Sequence, residues 1–289
     1  MTTQSTLRRD PRAGTRPHPG AAPALPGPMR ASRARARVEL RSFFRNRHSL
    51  VFTLSLPAML LLVLGSIFSG DVTGTDVSFK QAFMAGITAA GVMSVSFSGL
   101  AINLALEHDD GTIRRLAATP MPRSAYFIGK LVRVAVTGAL ETAVLLTLAV
   151  TLFHLPLPDT AARWWTLAWV LLLGTTSCSL LAIAYSALIP NARSAAAAVV
   201  PPYLVLQFIS GVFFPFNSLP PTMRTVASFF PLKWMVQGLD SVFLPDSFAS
   251  AEPAAAWERG NVALVLALWC VGMLAACATT FRWRGQRVR

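Results

Sequence analysis

SLVFTLSLPAMLLLVLGSIF, residues 49–68, carries no charged side chain over twenty positions. At a rise of about 1.5 Å per residue, a helix of that length crosses the roughly 30 Å hydrocarbon core of a bilayer. Five more apolar runs follow, near residues 81–106, 130–153, 164–189, 195–214 and 260–281. Lipid cannot satisfy an open backbone, so each run reads as a transmembrane helix. The expectation is an all-α integral membrane protein with six spans.

Composition agrees with that reading. Of 289 residues, 53% are hydrophobic and 13% charged, and the mean hydropathy is +0.51, too apolar for an ordinary soluble domain. The first apolar run opens only after about fifty polar residues, so no cleavable secretory leader is expected. Cys178, Cys270 and Cys277 all fall inside apolar runs without metal-ligand or disulfide-framework spacing, which suits inert packing. Pro57 in the first run and Pro201 and Pro202 in the fifth remove backbone donors, so kinks are expected there.

Between the spans the sequence is informative. Residues 1–35, rich in Pro and Arg, cannot bury enough apolar surface to offset ordering and read as a disordered tail. From residue 36 the pattern becomes helical. Ala36, Leu40, Phe43 and Phe44 share one side, and Arg37, Arg41 and Arg45 the neighbouring one, as in a helix lying at a membrane surface. Residues 215–259 are partly apolar but broken by prolines, which predicts short re-entrant or interfacial helices between spans five and six. One membrane domain over 36–281 remains, followed by a basic tail at 282–289.

Lys and Arg fall 21 to one side of these spans and five to the other, which predicts that both termini are cytoplasmic. A formal charge of +13 also raises nucleic acid as a partner. No nucleic-acid module accompanies it, and basic residues flanking spans need only anionic lipid.

Catalytic groups are missing where an enzyme would need them. His18, His48, His108 and His154 lie in loops or at span ends, so no nucleophile–base pair stands within the membrane. No phosphate-binding loop occurs, since the lone Gly129-Lys130 pair lacks both the preceding glycine and the following hydroxyl. Energy for active transport would have to come from elsewhere. Glu141, midway along the third run, is the one acidic residue deep in a span and keeps open a gradient-driven transporter; a hydrogen-bonded, protonated glutamate is the simpler account. A non-transporting scaffold is the third option.

The loop between spans two and three, EHDDGTIRRLAATPMPRSAYFIGK (107–130), predicts a short helix with acidic residues at its start and arginines further along. This segment resembles the ABC transporter type-2 permeases: an acidic group, Gly-Thr, a basic short helix, a Thr-Pro turn and Gly-Lys entering the third span. The resemblance extends to the amphipathic helix before the first span, and to SGVFFP (210–215), Leu219-Pro220 and Phe230-Pro-Leu232. In length and in this outer segment it is similar to drug and antibiotic exporters of the daunorubicin-resistance kind. The resemblance implies a permease that pairs with a second copy and docks a separate cytoplasmic ATPase, with ATP and magnesium on that partner and no cofactor here. It places the ATPase contact at Asp109, Asp110, Gly111, Thr112, Ile113, Arg114, Arg115, Leu116 and Thr119. Glu141, Phe208, Phe213 and Phe214 are candidates for the substrate path.

Overall fold

A computed structural model describes residues 27–68, 70–72, 77–252 and 254–280. The helices are α1 (Pro28–Arg45), α2 (Arg47–Ile67), α3 (Phe79–Met93), α4 (Leu100–Asp109), α5 (Thr112–Ala117), α6 (Arg123–Phe153), α7 (Ala161–Ser186), α8 (Ala192–Ile209), α9 (Pro221–Phe229), α10 (Pro231–Phe243) and α11 (Arg259–Thr280). A π-helical turn, Ser94–Gly99, joins α3 to α4. Among the described residues six helices are long and apolar enough to cross a membrane: α2, the continuous α3–α4 rod, α6, α7, α8 and α11. The fold is all-α.

The α3–α4 rod is the axis of the bundle. Ala85, Ile87, Ala89, Ala90, Val92 and Met93 are buried in the core, where α2, α6, α7 and α10 pack around them. Small residues permit that crowding. A side chain on Gly86 would strike the backbone carbonyl of Val212, and one on Gly174 of α7 would strike the Met235 sulfur. Hydroxyls in the rod and in α6 bond back to their own helices: Thr88 donates to the Met84 carbonyl, Ser96 to Val92 and Thr142 to Gly138.

Pro202 deprives the Ala198 carbonyl of its helical donor, and the Tyr185 hydroxyl of α7 donates to it at 2.8 Å. The helix runs on through both prolines. It stops at Ile209, short of the expected 214, because Gly211 takes φ +86° and turns the chain.

Contacts between loops define the two ends. At one end, the Asp109 carboxylate accepts from the Ala192 amide at 2.6 Å, and α1 lies along the first turns of α6. At the other, the Gln81 amide donates to the Phe243 carbonyl at 2.6 Å and Arg163 pairs with Asp246 at 3.6 Å. There α9 keeps Met223, Val226 and Phe229 exposed, while α10 is buried against α7, α3 and α11. Both are the short, non-crossing helices expected in that segment, and α10 is the one packed into the bundle.

The N-terminal helix departs from expectation. It begins at Pro28, inside the segment expected to be disordered; residues 1–26 lie outside the described residues. Proline at the first helical position leaves no bond unmade, and the surface the helix needs is supplied by α6. Its buried row is Ser32, Ala36, Glu39 and Phe43, so Leu40 is half-buried and Phe44 faces outward. A buried carboxylate, absent from the apolar stripe, turns the helix. The basic tail at 282–289 also lies outside the described residues.

The Gly86 contact is with backbone, which cannot swing away, whereas the Gly174 contact is with a flexible thioether. Gly86→Val should cost about 1–3 kcal/mol and lower the midpoint of thermal unfolding in detergent. Gly174→Ala should leave that midpoint within error, and equal shifts would show that the Val212 turn yields as readily as Met235.

Candidate functional site

The loop after the second span folds as a short helix with two unlike faces. Gly111 sits at φ +74°, a left-handed turn that only glycine adopts without strain, and α5 starts directly after it. The Asp110 carboxylate accepts from the Thr112 amide at 2.8 Å, and hydrogen bonds from the Thr112 hydroxyl and amide hold that carboxyl below the usual range. Ile113 is buried in the core and Leu116 packs behind it. Arg114 and Arg115 point outward, Arg115 reaching back to the Thr112 hydroxyl at 3.2 Å. Thr119 is exposed and donates to the Leu116 carbonyl. The handle is thus anchored inward by apolar residues and presents cations outward.

Beneath it lies a buried ionic network. Lys130 of α6 is 0% exposed and binds Glu39 of α1 at 3.0 Å and Glu107 of α4. Arg35 and Arg133 also reach Glu39, the latter at 3.5 Å. The Tyr126 hydroxyl donates to Glu107 at 2.6 Å, and Asn103 takes a longer bond from Lys130 at 3.4 Å. Burial raises the Glu39 carboxyl, but Lys130, then Arg35 and Arg133, outweigh it and leave it below the ordinary value. The close crossing is possible because Gly129 has no side chain: a Cβ there would press into the Arg35 stem at 2.6 Å. Desolvating so many charges repays its cost only when each is paired. Three elements, α1, α4 and α6, therefore move as one.

Halfway through the membrane, Glu141 is 1% exposed and neither carboxylate oxygen has a hydrogen-bond partner. A Cβ on Gly91 would strike this carboxylate and come within 3.3 Å of the Pro57 ring. The π-helical turn begins just beyond, at Ser94.

At the far end, Phe213 and Phe214 line a cavity under the non-crossing helices, and Phe208 packs against Phe213 at a 46° tilt with ring centroids 5.2 Å apart. Phe208 and Phe214 are 53% and 52% exposed. Glu141 is not part of that lining.

A family model described as ABC-2 type transporter matches residues 33–244, from α1 through the end of α10. The chain belongs to the ABC-2 type transporter family. No curated protein matches it. Family membership makes it the permease component of an ABC transporter, a multi-pass membrane protein whose family implies an ATPase partner.

In this ABC-2 permease Asp109 ties α4 to the start of α8 and Asp110 holds the turn, and both stay on the exposed surface. Arg114, Arg115 and Thr119 remain on the outside. On α1, Arg37, Arg41 and Arg45 are exposed, and Phe43 is buried beside Arg133, whose guanidinium lies 6.0 Å over its ring. Sequence reasoning missed the network of Glu39, Asn103, Glu107, Tyr126 and Lys130. One signal was available: Glu39 is the only acidic residue between Asp10 and Asp71, in a stretch crowded with arginine.

Removing one partner of this network strands the others. Glu39→Ala should cost about 3–5 kcal/mol and free α1, read as increased mobility of a spin label at the exposed Val38. In the parent protein α1 should stay docked down to about pH 4.5, the ordinary glutamate value, and release as pH falls through the lower folded-state value. Release at neutral pH, or no release in acid, would each contradict that linkage.

Proposed function

We propose that this permease exports a hydrophobic or amphipathic compound outward across the inner membrane, in the manner of drug and antibiotic exporters. Two copies pair, their exposed apolar helices meeting each other and lipid, and a separate cytoplasmic ATPase binds ATP and magnesium and docks on α5. Both termini face the cytoplasm on this reading. The observation that carries it is α5 itself, whose Ile113 and Leu116 grip the core while Arg114 is exposed without an ion-pair partner among the described residues. A push on α5 cannot be absorbed locally. It passes into α4 and α6, and through Lys130 into α1.

ATP can bias transport only through contacts that differ between the two states. Gly111→Pro, or Arg114→Glu with Arg115→Glu, should leave the permease inserted but abolish substrate-stimulated ATPase activity and export in the reconstituted complex. Normal export by both variants would mean that the drive enters elsewhere.

A second reading has its own observation, the unpartnered Glu141. If a gradient drives transport, Glu141→Gln should stop substrate movement in proteoliposomes that carry a proton gradient and no ATPase. If the ATPase drives it, those vesicles move nothing and Glu141→Gln exports normally in the complete complex.

Orientation is tested by exposed positions at the two ends. Cysteines placed at Thr160 and Ser247 should react with an impermeant reagent in intact cells, and one at Ser124 should not. The reverse pattern would invert the transporter.

A further inference from the structure

The cavity under the non-crossing helices has a chemistry that neither lipid packing nor coupling requires. On α10, Lys233, Gln237 and Asp240 recur at helical spacing and line it as one polar row, in a helix otherwise buried in the core. Two members of the row are satisfied. Lys233 donates to the Gln237 amide oxygen at 2.6 Å and lies over the Trp234 ring at 3.9 Å, and Gln237 donates onward to Glu258 at 3.4 Å.

Three other polar groups of the lining are not. Among the described residues, no hydrogen bond or ion pair closer than 4.0 Å reaches the Asp240 carboxylate, nor that of Glu252. Ser210, 1% exposed, also lines it, and its hydroxyl has no partner. Unmet polar groups in an enclosed apolar setting cost free energy that a fitting ligand recovers. Lys233 faces three carboxyl groups, Asp240, Glu252 and Glu258, so acid outnumbers base around the cavity. Around it stand the faces and edges of Phe79, Phe83, Phe214, Phe216 and Phe248. Aromatic walls with an uncompensated carboxylate are complementary to an ammonium group and repel an anion. Burial, with the Glu252 charge behind it, pushes the Asp240 carboxyl well above the usual range against the pull of Lys233, a shift that a neighbouring cation opposes.

We propose that this cavity is a binding site for an alkylammonium group on an apolar body, its charge held by Asp240 and Glu252, its apolar part against the phenylalanine walls, and the Ser210 hydroxyl completing the contact. The site lies at the opposite end of the bundle from α5 and does not depend on how transport is powered. Two sources share the chemistry, the headgroup of an aminophospholipid and a free amphipathic amine.

The test uses the full-length permease purified alone in a neutral maltoside detergent, with dodecylammonium as probe and dodecanol as its uncharged counterpart. Calorimetric titration should give saturable binding of the amine and none of the alcohol. Asp240→Asn should weaken the amine about tenfold, and Ser210→Ala more mildly. Glu252→Gln, farther from the packed face of α10, gives the same readout should Asp240→Asn fail to yield a monodisperse protein. Equal binding of amine and alcohol, or unchanged affinity in both carboxylate variants, overturns the assignment. Repeating the titration in nanodiscs with and without phosphatidylethanolamine separates the sources. Loss of dodecylammonium binding only when that lipid is present assigns the site to the headgroup, and undiminished binding assigns it to a free amine.

Discussion

A backbone amide in hydrocarbon has no solvent to bond, and every feature of this molecule follows from where that demand can be met. Six segments meet it by crossing as helices. Even their interruptions obey it: the carbonyl freed by Pro202 finds the Tyr185 hydroxyl, and serines and threonines in the rod return to their own helices. With hydrogen bonds settled inside each helix, association between helices rests on shape. Small residues on α3 let α6, α10 and the turn at Val212 approach closely, so the rod becomes the least movable part of the bundle.

Two of the helices that do not cross, α1 and α10, carry charge into their packing. α1 has no apolar stripe wide enough to hold it on α6; Glu39, drawn to Lys130 beside Gly129, holds it instead. α10 enters the bundle with Lys233 and Gln237 satisfying each other while its apolar face packs against α7 and α3. In each case a cation is buried because its partners come from a neighbouring element or turn, the condition under which desolvation is repaid.

The difference between what was legible in the sequence and what was not follows the same division. Six spans and the non-crossing helices could be read because apolar length and proline placement are local properties. So could α5, whose Gly111 and paired arginines lie within one short segment. The ionic network could not, since Glu39, Glu107 and Lys130 are far apart in the chain and only the fold brings them together. Leu40 and Phe44 were grouped with Ala36 and Phe43 by apolar periodicity alone, which gives no weight to a buried carboxylate. Asp109 and Asp110 also bond within the chain: the Ala192 amide meets Asp109 only when α4 and α8 end on the same side, and the Thr112 amide meets Asp110 inside the turn.

One compositional feature carried more than its pattern suggested. The chain has only three lysines, Lys80, Lys130 and Lys233, among its 26 basic residues, and none is exposed. Arginine covers the outside, where a broad, weakly hydrated fork can lie along headgroups or a protein surface. Lysine is kept for confined places, where a compact ammonium on a flexible stem can reach a few oxygens and lie over a ring. Lys130 does this against Tyr126 at 5.5 Å, Lys233 against Trp234 and Lys80 against Phe153 at 5.5 Å. Substituting arginine for Lys130 would therefore preserve the charge yet disrupt the site, because the larger fork has no room where Gly129 lets α1 touch α6. The end of the bundle that carries α5 is thus held by a charge whose size matters as much as its sign, so a displacement of α5 has to carry α1 along with it.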